Sequence, residues 1–326
     1  MLVGELWRYP VKSLAGEPLV SVAVGRLGVD GDRQRAVVDP ESGVSLSAKR
    51  YGQLLLCQAW TENSLVMVAL PDGSVFDADS PDTAEDLSEL LDRRVEIRRA
   101  KAGEPVRHEF TTDTSTDSGE AMVVQAPLTE AFFDGLSVHL LTEATLREFA
   151  RYQPESTFHR ARFRPNILVS SDDEGFVEDD WVGSHINVGE VSFTVVKHKT
   201  RCVMTTRPQG NLSVDRDVLK TVGRVNQRRA GIELEADSPA QTAPARSAQR
   251  RRVGNRSRRK SVSMKKGRRP TTANVPPWAG ADYKPASTAS TSTVMLAACS
   301  EVRTPSSTKS LNWLRRPFNM PVAALV

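Results

Sequence analysis

The chain has 326 residues, of which 39% are hydrophobic, and a formal net charge of +4 at pH 7. Residues 1–236 hold 27 Lys or Arg against 37 Asp or Glu, whereas residues 237–326 hold 17 against 3. Because the basic excess lies in the tail alone, the net charge does not predict nucleic-acid binding by the whole chain. The three cysteines have no paired spacing, which argues against a disulfide framework, a CxxC zinc site and a four-cysteine iron–sulfur cluster.

The sequence also indicates where the protein works. It begins without the basic and apolar regions of a signal peptide, and no stretch approaches the roughly 18 apolar residues that a membrane span needs. We therefore expect a cytoplasmic protein with no membrane contact. Since the chain cannot build its own iron–sulfur cluster, any electrons for a redox reaction would come from another protein.

The first hundred residues predict short strands separated by turns, as in a small barrel or sandwich. A helix is expected at residues 81–93, with Ser80 as its cap and Pro81 in its first turn. Strands are expected at residues 2–9, 19–24, 35–38, 44–48, 54–60, 65–70 and 95–99.

A polar stretch at residues 101–120 predicts a mobile loop between two domains. After it we expect a helix at residues 143–152 and strands at residues 138–141, 166–169, 186–188 and 191–195. Gly189 and Glu190 would form the turn of a hairpin between the last two strands.

Residues 237–326 are rich in Ser, Thr, Ala, Pro and Arg, with a basic run at 250–269. Such a composition buries too little apolar surface to offset the entropy lost on ordering, so it predicts a basic, low-complexity, disordered tail.

Cys202 is the clearest candidate for chemistry. It follows a predicted strand and has Lys197, Lys199, Arg201 and Arg207 nearby, a positive setting that favours a thiolate. Thiolates are nucleophiles and soft metal ligands. From the residues alone, a buried structural cysteine is the preferred interpretation of Cys202. Cys57, in its apolar stretch, is expected to be a core residue.

Three further clusters lie at the ends of predicted strands: Lys12-Ser13, Asp32-Arg33 and Arg164-Pro165-Asn166. Converging basic side chains suit a phosphate or another anion, and the Asn166 amide could read the edge of a heterocycle. For each cluster by itself a solvated charge on a loop is the preferred interpretation, so their joint occurrence carries the hypothesis.

These motifs together resemble the MOSC family. Tyr9-Pro10-Val11-Lys12-Ser13, Gly31-Asp32-Arg33, Phe163-Arg164-Pro165-Asn166, and Arg201-Cys202 followed by Thr205-Thr206 occur in the order and at the separations seen in that family. The resemblance covers roughly residues 1–230 and is greatest to the group that has an extra N-terminal β-rich domain and includes the amidoxime-reducing components.

The resemblance implies a mainly β fold with a few helices (α+β). An N-terminal MOSC β-barrel-like domain would span residues 1–117 and a MOSC β-barrel domain residues 118–236. A molybdenum-molybdopterin cofactor would lie between them, with Cys202 as the molybdenum ligand and the catalytic residue. The pterin and its phosphate would be held by Lys12, Ser13, Arg33, Arg164, Asn166 and Arg201. Asp134 also falls where the family often contacts the pterin, in a looser match.

The implied function is a molybdenum-dependent oxidoreductase that reduces N-hydroxylated small molecules. Its electrons would come from a separate donor protein of the ferredoxin, flavoprotein or cytochrome type. Two alternatives stay open: a sulfur-carrier or cofactor-delivery domain with a persulfide on Cys202, and an inactive scaffold whose basic tail binds nucleic acid or another acidic partner.

The chain departs from the family after a stretch at residues 218–228. MOSC domains continue from there into a closing strand pair, whereas this chain runs into the basic tail, whose composition is typical of an altered reading frame. We therefore expect the closing strands to be missing and the domain to be weakened by an exposed sheet edge.

Overall fold

The computed structural model describes residues 1–25, 27–111, 113, 121–125, 130–237, 294–297 and 300–304. These residues form mostly strands, with four α-helices among them. The strands before residue 130 are β1 (Leu2–Arg8), β2 (Glu17–Leu19), β3 (Ser21–Gly25), β4 (Gly28–Val29), β5 (Arg35–Val38), β6 (Val44–Ser45), β7 (Gln58–Glu62), β8 (Leu65–Ala69), β9 (Val75–Asp77), β10 (Glu96–Arg99), β11 (Arg107–Thr111) and β12 (Ala121–Gln125). The later strands are β13 (Val138–Thr142), β14 (Ile167–Ser170), β15 (His185–Val188), β16 (Val191–Thr200), β17 (Arg229–Ala236), β18 (Val294–Ala297) and β19 (Val302–Arg303).

The helices are α1 (Pro81–Leu91), α2 (Glu143–Tyr152), α3 (Arg160–Phe163) and α4 (Arg216–Asn226). Short polar side chains start three of them by accepting a hydrogen bond from the first turn, which satisfies a backbone N–H that would otherwise lack a partner. Ser80 accepts from Asp82, Thr142 from Thr145 and Asp215 from Asp217. Within the described residues, no helix is both long and apolar enough to span a membrane.

The largest sheet has eight strands in the order β19-β15-β16-β17-β13-β14-β1-β2. β1 comes from the start of the chain and pairs antiparallel with β14, so the first strand lies in a sheet built mainly from the second half of the sequence. The hairpin of β15 and β16 is confirmed, with Val188 opposite Val191. A second sheet, β10-β5-β6-β11-β12, and two three-stranded sheets, β18-β3-β4 and β7-β8-β9, complete the described strands.

Four apolar clusters hold these layers together, and the smallest consists of Ala36, Val38, Val106 and Phe132. One lies between the large sheet and β18-β3-β4 and includes Leu6, Phe193 and Ile232, each almost fully buried. A second fills the N-terminal part and contains Cys57, where burial raises the pKa of the thiol to about 12. The third packs α2, α3 and α4 against the large sheet. Cys57 is therefore a core residue.

Two expected elements are wrong in detail. Residues 52–56, part of which we expected in a strand, form a 3-10 helix, Gly52–Leu56, and β7 begins only at Gln58. Within the stretch expected to be a loop, β11 pairs in parallel with β6 and antiparallel with β12, and its His108 is 2% exposed. Pairing with distant strands therefore outweighs the polar local sequence.

The tail also contributes to the fold. β18 pairs with β3, β19 pairs with β15, and the side chains of Leu296 and Val302 enter the first apolar cluster. The expectation that the strands after residue 228 are missing is wrong, because β17 pairs with both β13 and β16. Strands β18 and β19 also form within the stretch that was expected to be disordered. Apolar residues at 294–297 can cover the edge of β3, which would otherwise leave backbone groups unpaired. The remainder of the predicted tail lies outside the described residues.

Candidate functional site

A cavity of about 340 Å³ opens where the loops after several strands meet. All eight residues singled out from the sequence line it, although they come from distant parts of the chain. They are Lys12, Ser13, Arg33, Asp134, Arg164, Asn166, Arg201 and Cys202.

Three of these residues have an unusual backbone. Ser13, Arg33 and Arg164 have φ angles of 70°, 51° and 55°, in the left-handed region that residues with a side chain seldom adopt. Such conformations cost free energy and persist where the surrounding structure enforces them, often at functional sites. Here they place all three residues at sharp turns beside the cavity.

Tyr9 is the common support of two of the arginines. The guanidinium carbon of Arg164 lies 4.2 Å from the ring centroid and that of Arg33 lies 4.9 Å from it. The Tyr9 hydroxyl donates to the carbonyl of Pro165 at 3.1 Å, and burial raises the pKa of this hydroxyl. Asp32 accepts from the Tyr9 N–H at 2.7 Å and also pairs with Arg33. The phenol and Asp32 thus hold both guanidinium groups at one wall of the cavity.

Two buried arginines have guanidinium nitrogens that donate no hydrogen bond to the described residues. Arg164 donates through Nη1 to the carbonyl of Leu14 at 2.6 Å, and Arg201 donates through Nη2 to the carbonyl of Phe163 at 2.6 Å. Nη2 of Arg164 and both Nε and Nη1 of Arg201 have no hydrogen-bond partner among the described residues. Burial lowers the pKa of each guanidinium to about 10. Unpaired buried donors are costly, so the arrangement is suited to an anion that would accept from them.

Asn166 lines the cavity and also joins two strands. Its amide oxygen accepts from the N–H of His139 at 3.2 Å, and its amide nitrogen donates to the carbonyl of Trp7 at 3.2 Å. The side chain therefore ties β1 to β13 through backbone groups. It lines the cavity, but these two bonds use much of the hydrogen-bonding capacity expected to read a heterocycle.

Asp134 lies between two lysines. Its carboxylate oxygens are 2.6 Å from Nζ of Lys12 and 3.1 Å from Nζ of Lys49. Although burial opposes it, attraction to the two ammonium groups holds the pKa of Asp134 well below its usual range. Burial lowers the pKa of Lys12, whereas Asp134 and Cys202 together raise the pKa of Lys49 against the effect of burial.

Cys202 lines the cavity two residues after the end of β16 and is half-buried. It directly precedes the 3-10 helix Val203–Thr206, where its carbonyl accepts from the N–H of Thr205 at 3.1 Å and from the Thr205 hydroxyl at 3.0 Å. These bonds fix the backbone of Cys202 while its thiol has no disulfide partner among the described residues.

Sequence reasoning missed several residues of the cavity. Lys49 was not singled out because its flanking residues match no motif, although it too is a basic residue just after a strand. His139 and Glu233 lie inside strands, where the polar signal is weak. Lys199 donates to Glu233 at 2.6 Å, and a Cβ on Gly135 would come within 2.7 Å of the same carboxylate.

The charge of the cavity is strongly positive. Seven Lys or Arg residues line it against two carboxylates, those of Asp134 and Glu233. No group of three or more His, Cys, Asp or Glu side chains that could hold a metal ion occurs among the described residues. The cavity therefore offers a single thiol, several cations and free guanidinium N–H groups. That set of donors fits a large anionic ligand with a soft-metal contact at the thiol.

Comparison with known proteins agrees with this geometry. The description "MOSC N-terminal beta barrel domain" matches residues 1–117, and "MOSC domain" matches residues 130–247. The chain is 25% identical to mitochondrial amidoxime reducing component 2 of Homo sapiens over 244 residues, which covers 67% of this chain and 71% of that protein. It is 26% identical to the Bos taurus protein of the same name over 238 residues, covering 66% of this chain and 68% of the other.

Proposed function

The chain belongs to the MOSC domain family, with a MOSC N-terminal β-barrel domain preceding the MOSC domain, and we propose that it binds a molybdenum-molybdopterin cofactor and reduces N-hydroxylated compounds. Relatives named as amidoxime reducing components support this substrate class. The observation that carries the proposal is the set of buried, unpartnered guanidinium nitrogens of Arg164 and Arg201 in the cavity that Cys202 also lines.

The residues fit the parts of such a cofactor. Its phosphate would accept hydrogen bonds from Arg164 and Arg201, because guanidinium groups match phosphate oxygens in pairs. Lys12 and Arg33 would add positive charge along the same wall. Cys202 would supply the protein's sulfur ligand, since thiolates bind metals that already carry soft sulfur ligands. When bound, the molybdenum supplies two-electron redox chemistry.

The overall reaction breaks the N–O bond of the substrate. It consumes two electrons and two protons and leaves an N–H group and one molecule of water. Because the chain has only three cysteines, it cannot hold a four-cysteine cluster of its own, and the electrons come from a separate donor protein.

The chain's own residues prepare the cavity. Asp134 holds two lysines close together by giving each an oxygen, which offsets their mutual repulsion. Glu233 does the same for Lys199 and for Lys197, whose Nζ is 3.3 Å from Oε2. The aromatic side chains of Phe110, Phe132 and Phe133 also line the cavity and make part of its surface apolar.

The test compares the wild type with Cys202→Ser, expressed in a host that makes the cofactor. Molybdenum is measured by elemental analysis and pterin by fluorescence after oxidation. We expect near-stoichiometric molybdenum and pterin in the wild type, and loss or changed coordination of the metal in Cys202→Ser. Cys57→Ala is the matched control, since Cys57 is a thiol in the core and does not line the cavity.

Two results would overturn the proposal. A wild-type protein without molybdenum or pterin would refute cofactor binding, and a persulfide found on Cys202 in such a protein would favour sulfur transfer. Cofactor-loaded protein that reduces neither an amidoxime nor a hydroxylamine with a chemical electron donor would refute the proposed reaction while leaving the cofactor site in place.

A further inference from the structure

His108 lies behind the wall of the cavity that carries Lys12. It belongs to β11, is 2% exposed and does not itself line the cavity. Its Nδ1 is 2.8 Å from Nζ of Lys12 and 3.0 Å from the hydroxyl oxygen of Ser45. Phe132 covers the ring from the side, with the two ring centroids 6.2 Å apart in an edge arrangement.

The contact with Lys12 fixes the tautomer of this histidine. An ammonium group only donates hydrogen bonds, so the nitrogen facing it must carry a lone pair. Nδ1 is therefore unprotonated and Nε2 carries the hydrogen. Burial, followed by the charge of Lys12, lowers the pKa of His108 to about 4, in agreement with a neutral ring.

The burial of this neutral ring costs free energy. Its Nε2 is buried and has no hydrogen-bond partner among the described residues. A buried polar atom without a partner is unfavourable, and an apolar side chain would avoid the penalty. The hydrogen bonds of the ring are those at Nδ1, which faces both Lys12 and Ser45.

The ammonium of Lys12 has three N–H bonds, and two of them already donate hydrogen bonds. Asp134 accepts one at 2.6 Å and His108 accepts another at 2.8 Å. Because the three bonds of an ammonium are arranged tetrahedrally, two fixed partners also fix the direction of the third. Lys12 lines the cavity, and its third N–H has no partner among the described residues.

We propose that His108 is a positioning residue that, together with Asp134, orients the ammonium of Lys12 so that its remaining N–H serves an anionic group bound in the cavity. The inference rests on the proposed function for the identity of that anion. Asp134 supplies the charge that keeps Lys12 an ammonium, whereas His108 supplies direction without adding charge.

Two variants separate direction from packing. His108→Leu fills the space but offers no acceptor to Lys12. His108→Asn places an amide close to the position of Nδ1 and can still accept. A third variant, Lys12→Met, removes the ammonium that His108 is proposed to orient. Full-length protein is used throughout, and far-ultraviolet circular dichroism checks that each variant is folded.

The first readout is the affinity for inorganic phosphate, measured by titration calorimetry as a probe of any anion in the cavity. We expect His108→Leu to weaken it about fivefold and Lys12→Met by at least as much, as for the loss of one charge-assisted hydrogen bond. His108→Asn should stay near the wild type. The double variant should bind phosphate as weakly as Lys12→Met alone, because both changes remove the same interaction.

The second readout is the ¹⁵N resonance of the His108 ring, compared between the wild type and Lys12→Met. An unprotonated Nδ1 whose signal moves in Lys12→Met supports the proposal. A protonated Nδ1, equal phosphate affinities in His108→Leu and the wild type, or additive losses in the double variant would overturn it. A wild type without molybdenum would refute the proposed function alone, because the phosphate and nitrogen measurements still decide the role of His108.

Discussion

The guanidinium of Arg164 lies over the ring of Tyr9, with its central carbon 4.2 Å from the ring centroid. The same side chain is 7% exposed, donates once to the carbonyl of Leu14 and keeps one nitrogen without a partner among the described residues. Stacking and the single backbone bond thus hold the planar group while leaving one edge for a ligand. A lysine at this position would keep the charge but lose the plane and the paired donors.

Arg164→Lys should therefore lower the retention of the cofactor after dialysis about tenfold, as expected for loss of a paired charge-assisted contact. The measurement is molybdenum and pterin per mole of protein. Arg93→Lys is the matched control, because Arg93 also lies near a tyrosine ring, 5.9 Å from the centroid of Tyr51, but pairs with Asp39 away from the cavity. Equal retention in the two variants would contradict the role of Arg164.

Arg162 holds the loop that follows Cys202. Its side chain is 1% exposed and donates to the carbonyls of Thr157, Thr205, Arg207 and Ser213, at distances from 2.8 to 3.2 Å. Arg162→Met would leave these carbonyls without their donors, at a cost of about 3 kcal/mol in the free energy of unfolding. Hydrogen exchange of residues 203–213 should accelerate more than that of β16 and β17.

The control for this variant is Arg147→Met. Arg147 also donates to backbone carbonyls, those of Ser171 and Asp173, but lies at a more exposed position on α2. Arg147→Met should lower the free energy of unfolding less than Arg162→Met does, and it should leave hydrogen exchange in residues 203–213 unchanged. Uniform acceleration across the chain in Arg162→Met would indicate a general loss of stability instead of release of this loop.

Glu178 makes stability depend on pH. It is fully buried, and burial raises its pKa to about 7, even though hydrogen bonds from Thr142 and Thr145 act in the opposite direction. The folded state therefore holds a proton that the unfolded chain releases at a lower pH. Its stabilising effect is complete below the pKa of an unfolded glutamate and is lost as pH rises through about 7.

Between pH 4 and 8, the wild type should accordingly lose on the order of 3 kcal/mol of unfolding free energy through this group. Glu178→Gln cannot ionise and should show a flatter profile, with its advantage over the wild type greatest above pH 7. Urea unfolding across this pH range measures both profiles. Asp180→Asn, at an exposed neighbouring position, should follow the wild type; a wild-type slope retained in Glu178→Gln would assign the pH dependence to other groups.

The sequence predicted those parts of the structure in which local signals and tertiary packing agree. Ser80 and Pro81 mark the start of α1 because a cap and a proline act within one turn. The basic clusters and Cys202 could be grouped because several matching segments occur in one order along the chain. Their convergence on one cavity depends on long-range pairing such as that of β1 with β14, which joins residues more than 150 positions apart.

The same dependence on distant pairing explains what could not be predicted. His108 lies in a polar stretch whose strand forms because β6 and β12 are available on either side. Lys49 joins the site through Asp134 and the ring of Phe110, which are both distant in sequence. Residues 294–297 and 300–304 belong to a tail whose composition favours disorder. Strands β18 and β19 form there because β3 and β15 have free edges.

The contribution of that late segment can be measured at Leu296. It lies opposite Val22 in the register of β18 and β3 and is fully buried in the cluster beneath the large sheet. Leu296→Ala removes buried apolar surface and leaves a cavity, so it should lower the free energy of unfolding by about 2–5 kcal/mol. Leu65→Ala, which truncates a leucine that is 50% exposed on β8, should change it by less than about 1 kcal/mol.

Urea unfolding of the full chain decides between two descriptions of the domain. A large difference between the variants means that β18 completes the packing of the sheets beyond β17, the strand that directly follows α4. Equal stabilities would mean that the apolar cluster is complete without Leu296 and that the domain ends at β17.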